Sequence, residues 1–177
     1  NSFGGFVAIR YAARHPEHPA KVVLSSTLAR RALDLTEARF LALGGEEAAA
    51  TFRRVFTDGD TSVEAMADYL TVNMPLYNRV PSPFGPARSV MNLAVFQHFD
   101  EAFATMDLRA DLPRITAPTL VLAGRQDPMT PHECSTEILE GLAPGVGRLE
   151  IFDECGHGSF RDQPDATEAV LRAFLAE

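Results

Sequence analysis

Three side chains that lie far apart in the sequence have the types needed for nucleophilic catalysis: Ser2, Asp127 and His157. A serine hydroxyl attacks a carbonyl carbon only when a neighbouring imidazole removes its proton, and a carboxylate on the other ring nitrogen holds that imidazole in place. The order Ser, then Asp, then His along a chain is one of the orders in which such triads occur. The sequence therefore predicts acyl-transfer chemistry, provided that the fold brings the three groups within hydrogen-bonding distance.

Ser2 lies directly before a predicted helix. The run from Phe3 to Arg14 is rich in alanine and apolar residues, and the helix should end at His15 because a residue before proline is disfavoured in the α region. A short β-branched run, Lys21–Ser26, then predicts a buried parallel strand. Helix followed by strand is half of a βαβ unit. On its own, a serine at this position favours an ordinary helix N-cap.

The first turn of this helix contains Gly4 and Gly5, although glycine is a poor helix former. Close approach of the turn to a neighbouring strand or helix would explain both residues. The pattern Ser2-x-Gly4 is what remains of a G-x-S-x-G motif without its first glycine. In that motif the serine lies on a sharp turn between strand and helix, which lifts its hydroxyl clear of the sheet.

Asp127 and His157 each follow a predicted strand. The apolar segment Thr119–Gly124 leads into Asp127 in a proline-rich loop, and Leu149–Phe152 leads into His157, which stands between two glycines. The alternatives are an aspartate in a turn before proline and a solvated loop histidine. Three such settings in the order of a triad are much less frequent by chance than any one of them.

With these residues, the sequence resembles the α/β-hydrolase family over its whole length. Its overall pattern is most similar to that of the proline iminopeptidase-like hydrolases. The segment 107–118 is similar to the family's lead into its penultimate strand. The resemblance implies an α/β fold: the C-terminal part of an α/β-hydrolase sheet with an inserted helical cap. It also implies that Ser2 is the nucleophile, His157 the base and Asp127 the group that orients it. The backbone N–H of Phe3 would be one oxyanion donor, and the second comes from an earlier loop that this sequence lacks.

The predicted organisation has three parts. They are residues 1–29 (helix and strand of the core), 30–106 (helical cap) and 107–177 (C-terminal core with the Asp and His loops). The interval between the first two predicted strands is far longer than a normal connection. The helices expected within it are Glu37–Leu43 capped by Thr36, Glu46–Phe56 after Gly44-Gly45, one capped by Ser62 that ends at Pro75, and one with Val90, Leu93, Ala94 and Phe96 on one side. A terminal helix, Gln163–Ala176, with Ala166, Val170, Phe174 and Leu175, should cover the sheet.

Cap residues are candidates for binding substrate. Most of the phenylalanines there should form the cap's own core, and a few should line an apolar pocket: Phe40, Phe52, Phe56, Phe84, Phe96, Phe99 and Phe103. An aminopeptidase needs carboxylates in a dry pocket to pair with the free ammonium of its substrate. The resemblance makes Glu46 and Glu47 candidates for that role. The alternative is a solvated first turn of a helix, where acids interact favourably with the macrodipole.

Composition excludes several classes of partner. With 16 Lys and Arg against 24 Asp and Glu, the formal charge is −8, which argues against nucleic acid or an anionic membrane surface. No apolar stretch is long enough to span a membrane. The two cysteines, Cys134 and Cys155, cannot form a disulfide framework, so a reducing compartment, the cytoplasm, is expected. His98 and His132 lack clustered ligands, and neither a metal nor another cofactor is expected.

The predicted function is that of a serine hydrolase that works through an acyl-enzyme. The resemblance favours a proline iminopeptidase-like aminopeptidase acting on small peptides. The alternatives are a carboxylesterase or lactonase of the same fold, and a binding protein that has lost turnover. A strained turn at Ser2 needs flanking structure, and a sheet of three strands exposes a long edge. We therefore expect a separate chain, an N-terminal fragment of the same hydrolase, bound along that edge.

Overall fold

The computed structural model describes residues 1–81, 92, 99 and 103–177. In this part of the chain, three short strands separated by helices form a sheet. In chain order the elements are α1 (Phe3–Arg14), β1 (Val22–Ser25), α2 (Leu33–Phe56), α3 (Val63–Val72), a 3-10 turn (Met74–Leu76), a second 3-10 turn (Leu112–Arg114), β2 (Thr119–Gly124), α4 (His132–Gly141), β3 (Gly147–Phe152), α5 (Ser159–Asp162) and α6 (Pro164–Ala176).

The three strands are parallel and lie in the order β1-β2-β3. All six residues of the central strand β2 are buried, which is why its sequence is a continuous apolar run rather than an alternating one. The predicted α/β fold and the predicted helix at Phe3–Arg14 are confirmed, and each strand lies within two residues of its predicted bounds.

Side chains of β2 alternate between two hydrophobic clusters, one on each face of the sheet. Val121 packs in the larger cluster with Ile9 of α1 and Ile138 of α4. Leu120 and Leu122 face the opposite side and pack with Phe174 of α6. Helices therefore cover both faces, and the carboxyl ends of the strands are left for loops.

The two ends of the segment between β1 and the second 3-10 turn lie side by side. Arg30 pairs with Asp107 in an antiparallel bridge, and the Leu108 N–H donates to the Ala29 carbonyl at 2.7 Å. The described helices of this inserted segment, α2 and α3, have a core of their own. These contacts lie at the expected boundaries 29/30 and 106/107, while the division into a core and a cap stays a prediction.

Two details of the inserted helices differ from the sequence predictions. Thr36 does not cap a helix: α2 begins at Leu33, and the buried Thr36 hydroxyl donates to the Ala32 and Met129 carbonyls at 3.0 and 3.2 Å. Gly45, with φ 72°, breaks α2, so helical segments lie on either side of the glycine pair as predicted. The predicted cap at Ser62 is confirmed, because its hydroxyl accepts the Ala65 N–H at 3.2 Å.

The remaining helices, α4 and α6, agree only in part with the sequence predictions. Helix α4 was not predicted at all. In α6, Phe174 is buried as expected, whereas Leu175 is 62% exposed because it lies on the outer side of the helix. Ala166 is exposed as well. The predicted helix with Val90, Leu93, Ala94 and Phe96, like Phe84 and His98, lies outside the described residues. Within the described ranges, no helix has the length and apolar character required to cross a membrane.

Candidate active site

Ser2 lies in a strained turn at the carboxyl end of β1. Its φ of 50° and ψ of −127° are unusual for a residue with a side chain, and Ser26, with φ 44°, is strained as well. Such conformations cost about 1–3 kcal/mol each and persist only where the surroundings impose them. Here the Ser2 N–H donates to the Ser25 and Ser26 carbonyls at 3.1 and 3.0 Å, and the Thr27 hydroxyl donates to the Ser2 carbonyl at 2.9 Å.

Of the two glycines that follow, Gly5 is required by close packing. A Cβ on Gly5 would lie 2.5 Å from the Cβ of Thr27, where no side chain fits. A Cβ on Gly4 would meet nothing within 4 Å. The prediction of close approach is therefore confirmed for Gly5 and wrong for Gly4, which is exposed.

The Ser2 side chain does not cap α1. Its hydroxyl makes no hydrogen bond within the described part of the chain, and the residue is half-buried. The N–H of Phe3, the first residue of α1, likewise has no acceptor in that part of the chain. The geometry thus combines an uncommitted hydroxyl with a neighbouring uncommitted N–H, which is the arrangement that nucleophilic attack and oxyanion binding require.

Asp127 and His157 form a buried pair. The His157 Nδ1 lies 2.9 Å from Asp127 Oδ2 and 3.1 Å from Oδ1. A carboxylate can only accept, so this contact places a hydrogen on Nδ1, and in the neutral imidazole Nε2 then presents its lone pair. The Asp127 side chain has no exposed surface, and that of His157 is 11% exposed. Nε2 therefore has the character of a general base with access to a ligand.

The charge of Asp127 is stabilised by donors from its own loop. The N–H groups of Met129 and Thr130 donate to Oδ1, both at 2.9 Å, and the Thr130 hydroxyl donates to Oδ2 at 2.6 Å. A buried carboxylate needs such partners because it has lost its hydration. Sequence reasoning missed Thr130. A hydroxyl three residues after the acid, in a proline-rich turn, is the signal that would have found it.

The loop that carries His157 is packed against backbone on two sides. A Cβ on Gly124 would lie 2.8 Å from the Cys155 carbonyl carbon, and a Cβ on Gly156 would lie 2.9 Å from the Tyr77 carbonyl carbon. The His157 N–H donates to the Tyr77 carbonyl at 2.6 Å, and the two rings meet edge to face with centroids 5.2 Å apart. Tyr77 has no local sequence signal, and sequence reasoning missed it.

Two tyrosines near the His157 loop have hydroxyls in contact with each other. Those of Tyr69 and Tyr77 are 2.6 Å apart, and Tyr69 also reaches the Met129 sulfur at 3.8 Å. Burial is the main reason why the pKa of each tyrosine is raised far above its ordinary value. Both hydroxyls therefore stay protonated and serve as neutral hydrogen-bonding groups between the inserted segment and the Asp127 loop.

The structure gathers the three candidate residues at one edge of the sheet. Asp127 follows β2, His157 follows β3, and the backbone of Ser2 is bound to the end of β1. Asp127 and His157 are in direct contact. No hydrogen bond joins Ser2 to His157 in the described ranges, so the complete triad stays a prediction.

Glu46 and Glu47 do not form a dry pocket. Both are exposed at the start of the second half of α2, and Glu46, with a side chain 75% exposed, lies 3.8 Å from Arg53. Among the described residues, nothing encloses these carboxylates as the binding of an ammonium group would require. They have the alternative setting, a solvated helix turn.

The phenylalanines of the inserted segment have mixed roles. Phe40 and Phe52 are fully buried in its core, and Phe56 packs on that core. Phe103 packs instead on the main core, and Phe99 is 42% exposed beside Phe3. Phe84 and Phe96 lie outside the described residues. Within the described chain, no three metal-ligating side chains lie close enough together to hold an ion.

Comparison with known protein sequences finds relatives among the hydrolases. The sequence profile of the alpha/beta hydrolase fold matches residues 1–164. A pimeloyl-[acyl-carrier protein] methyl ester esterase from Nitrosomonas europaea is 30% identical over 93% of this chain and 65% of its own length. A 2-hydroxymuconate semialdehyde hydrolase from Pseudomonas sp. (strain CF600) is 26% identical over 100% of this chain and 60% of its own. The chain thus spans less than two thirds of the length of these curated relatives.

Solved structures share the fold. A proline iminopeptidase from Mycobacterium smegmatis superposes with a TM-score of 0.71 at 21% identity, over 99% of this chain and 63% of the other. An esterase from Exiguobacterium antarcticum superposes with a TM-score of 0.68 at 23% identity, over 99% of this chain and 65% of the other. At these identities the likeness concerns the fold alone.

Proposed function

This chain belongs to the α/β-hydrolase family, and on that premise we propose that it carries the catalytic triad of a serine hydrolase. Ser2 is the nucleophile, His157 the base and Asp127 its orienting acid. The observation that carries the proposal is the Asp127–His157 pair, which fixes the hydrogen on Nδ1 and leaves Nε2 without a partner in the described chain. The strained Ser2 turn at the same sheet edge supports it.

The proposed reaction proceeds in two steps. The Ser2 oxygen attacks the substrate carbonyl while Nε2 of His157 takes its proton, and the negative charge forms on the carbonyl oxygen. The carbonyl re-forms, the bond to the leaving group breaks, and His157 gives its proton to that group. Water then attacks the acyl-enzyme in the same way and restores Ser2. Asp127 stabilises the imidazolium in both steps.

We assign the developing oxyanion to the Phe3 N–H, which has no acceptor among the described residues. This N–H opens α1, so the helix dipole adds to its hydrogen bond. A single N–H is half of an ordinary oxyanion site. The second donor is proposed to come from the remainder of the hydrolase core.

The acyl substrate is proposed to be an ester, thioester or lactone rather than a peptide with a free amino end. Glu46 and Glu47 are exposed, so neither gives a substrate ammonium a dry carboxylate partner. Among the curated relatives, the 30% identical protein is named as a methyl ester esterase. The proline iminopeptidase-like activity stays the second candidate, since the rest of its pocket would belong to the inserted segment.

A fluorophosphonate probe tests the assignment. It should label the purified protein at Ser2, identified by peptide mass spectrometry, and labelling should disappear in Ser2→Ala. The matched control is Ser62→Ala, which removes a helix-capping hydroxyl of the inserted segment and should label normally. Failure of the intact, folded protein to label would favour the non-catalytic binding protein. Parallel assays with p-nitrophenyl esters and with proline p-nitroanilide separate the two substrate classes.

We also propose that further strands and helices of a hydrolase core, from an N-terminal fragment on a separate chain or from the same polypeptide, pack beside α1 and β1. The outer edge of β1 is unpaired in the described chain. Along α1 an apolar stripe is exposed: Phe3 at 44%, Val7 at 58% and Tyr11 at 44%. An exposed apolar stripe beside an unpaired strand edge supports the proposed interface.

Charge placed on this stripe tests the interface. Val7→Glu should weaken association with the fragment, or lower the stability of a longer polypeptide. Leu175→Glu, at an equally exposed position on α6, should change neither. Equal association and stability for the two variants, measured by light scattering and thermal unfolding, would argue against the interface.

The cytoplasm is the proposed compartment. Cys134 and Cys155 are both buried and unpaired, as free thiols are in reducing environments. Burial raises the pKa of each thiol to about 12, so neither is a reactive group at neutral pH. Cys155 lies two residues before His157 and packs as a small apolar side chain beside the sheet.

A further inference from the structure

The segment that follows α3 lies directly against the loop that carries His157. Besides the bond from the His157 N–H to the Tyr77 carbonyl, the Arg161 Nε donates to the Val80 carbonyl at 2.7 Å. Residues 77–80, which we call the strap, are thus bound at both ends to residues 157–161. The strap is part of the inserted segment, whereas the His157 loop follows strand β3 of the sheet.

One carboxylate lies between the strap and the loop. Asp162, the last residue of α5, accepts the Gly156 N–H at 2.8 Å from the loop. From the strap it accepts the N–H groups of Arg79 and Val80, each at 3.0 Å, and the Asn78 side chain approaches to 3.5 Å. The donors converge from both sides on two oxygens, so the carboxylate links the strap to the loop.

The carboxylate is suited to remain charged in this position. Burial acts to raise the pKa of Asp162, but hydrogen bonds from the Arg79, Gly156 and Val80 N–H groups outweigh it, and the pKa lies below its ordinary value. Hydrogen bonds to a charged acceptor are about twice as strong as neutral ones. At neutral pH, Asp162 is therefore an ionised anchor rather than a neutral filler.

We propose that Asp162 is a positioning residue for His157. By fixing Gly156 against the strap, it sets the place of the imidazole relative to Ser2, and it makes that place depend on the inserted segment. This inference rests on the proposed function, in which His157 is the base. A displacement of about 1 Å at a catalytic group lowers turnover by up to about 100-fold, so a positioning role has a measurable signature.

The test compares Asp162→Asn with Asp153→Asn in the whole protein. Asn keeps the shape but replaces one acceptor oxygen with a donor that faces backbone N–H groups. Asp153, four residues before His157, has a side chain 77% exposed that pairs with Arg125 among the described residues, so it is a matched acid on the same connection. With a p-nitrophenyl ester, Asp162→Asn should lower kcat about 10- to 100-fold and leave KM within about threefold. Asp153→Asn should change neither.

A second readout does not need turnover. The proton on His157 Nδ1, held by Asp127, should give a downfield resonance in the NMR spectrum. That resonance should broaden or shift in Asp162→Asn and stay in place in Asp153→Asn. If the wild-type protein hydrolyses no ester and takes no probe, the proposed function fails, and the resonance still decides whether Asp162 positions His157.

Contrary results are equally specific. An Asp162→Asn protein with normal kcat and an unchanged resonance would overturn the proposal, as would equal losses in both variants. A loss of thermal stability with kcat intact would show a purely structural role. If Asp162→Asn fails to fold, Arg161→Ala takes its place at an exposed position: it removes the bond to Val80, and kcat should fall about threefold at constant KM.

Discussion

Gly4 and Gly5 are consecutive residues of one helical turn, and the structure predicts opposite effects when each is replaced by alanine. A Cβ on Gly5 would lie 2.5 Å from the Thr27 Cβ, and ordinary contact begins at 3.4 Å, so helix and loop must separate by about 0.9 Å. Overpacking of this kind costs about 1–3 kcal/mol. The shift also strains the hydrogen bond from Thr27 to the Ser2 carbonyl, worth about 0.5–1.5 kcal/mol.

Alanine in a helix gains up to about 1 kcal/mol over glycine, which offsets part of this cost. We expect Gly5→Ala to lower the free energy of unfolding by about 1–3 kcal/mol. Gly4→Ala meets no neighbour and should raise it by about 0.5 kcal/mol. Urea unfolding followed by circular dichroism measures both, with the m-value checked for constancy.

The comparison is sharp because the two variants add the same methyl group to adjacent positions. If Gly5→Ala proves as stable as the wild type, α1 does not rest on Thr27 as described. If Gly4→Ala is destabilised as strongly as Gly5→Ala, helix entry rather than close packing governs both glycines. Either result would refute the reasoning from geometry.

Two further predictions concern the Asp127 loop and the thiols. Thr130→Val removes a hydrogen bond to the charged Asp127, worth about 1.5 kcal/mol, and should lower kcat about tenfold. Thr130→Ser keeps the hydroxyl and should keep kcat near the wild-type value. Thr167→Val, which loses a buried hydroxyl on α6, is the control and should not affect kcat. Equal losses of kcat in the two valine variants would contradict the role of Thr130. Burial raises the pKa of Cys134 and Cys155 to about 12, so the unfolded chain releases these protons at lower pH than the folded chain does. Stability should therefore fall between about pH 9 and 12, by about 1.4 kcal/mol per pH unit for each thiol, and urea midpoints for Cys155→Ala should show a shallower fall.

Local sequence signals were sufficient for the elements of the sheet. The run Thr119–Gly124 predicted a buried strand correctly because every residue of β2 is enclosed by helices on both faces. At α2, in contrast, Thr36 suggested a cap, but the helix starts at Leu33, preceded by Ala32 without any side-chain cap. Asp34 lies in the first turn, where an acidic side chain favours a helix start, and this signal was overlooked.

The site was predictable to the extent that its residues follow strands. Asp127 and His157 stand directly after β2 and β3, and parallel strands bring their carboxyl ends to one edge, so proximity could be inferred. The contacts of the strap with the His157 loop and with Asp162 could not, because the two sides lie about 80 residues apart in the sequence. Glu46 and Glu47 were nominated by resemblance, and their exposure depends on how α2 packs.

The adjacent ends of the inserted segment bear on protein engineering. Because Arg30 and Asp107 lie side by side, an insertion of another length can be grafted between them with little loop-closure entropy to overcome. Such a graft would nevertheless remove the groups that anchor the histidine loop. If Asp162 positions His157 as proposed, a chimera with a segment transplanted from a relative should fold but turn over slowly, unless that segment also supplies N–H donors to Asp162.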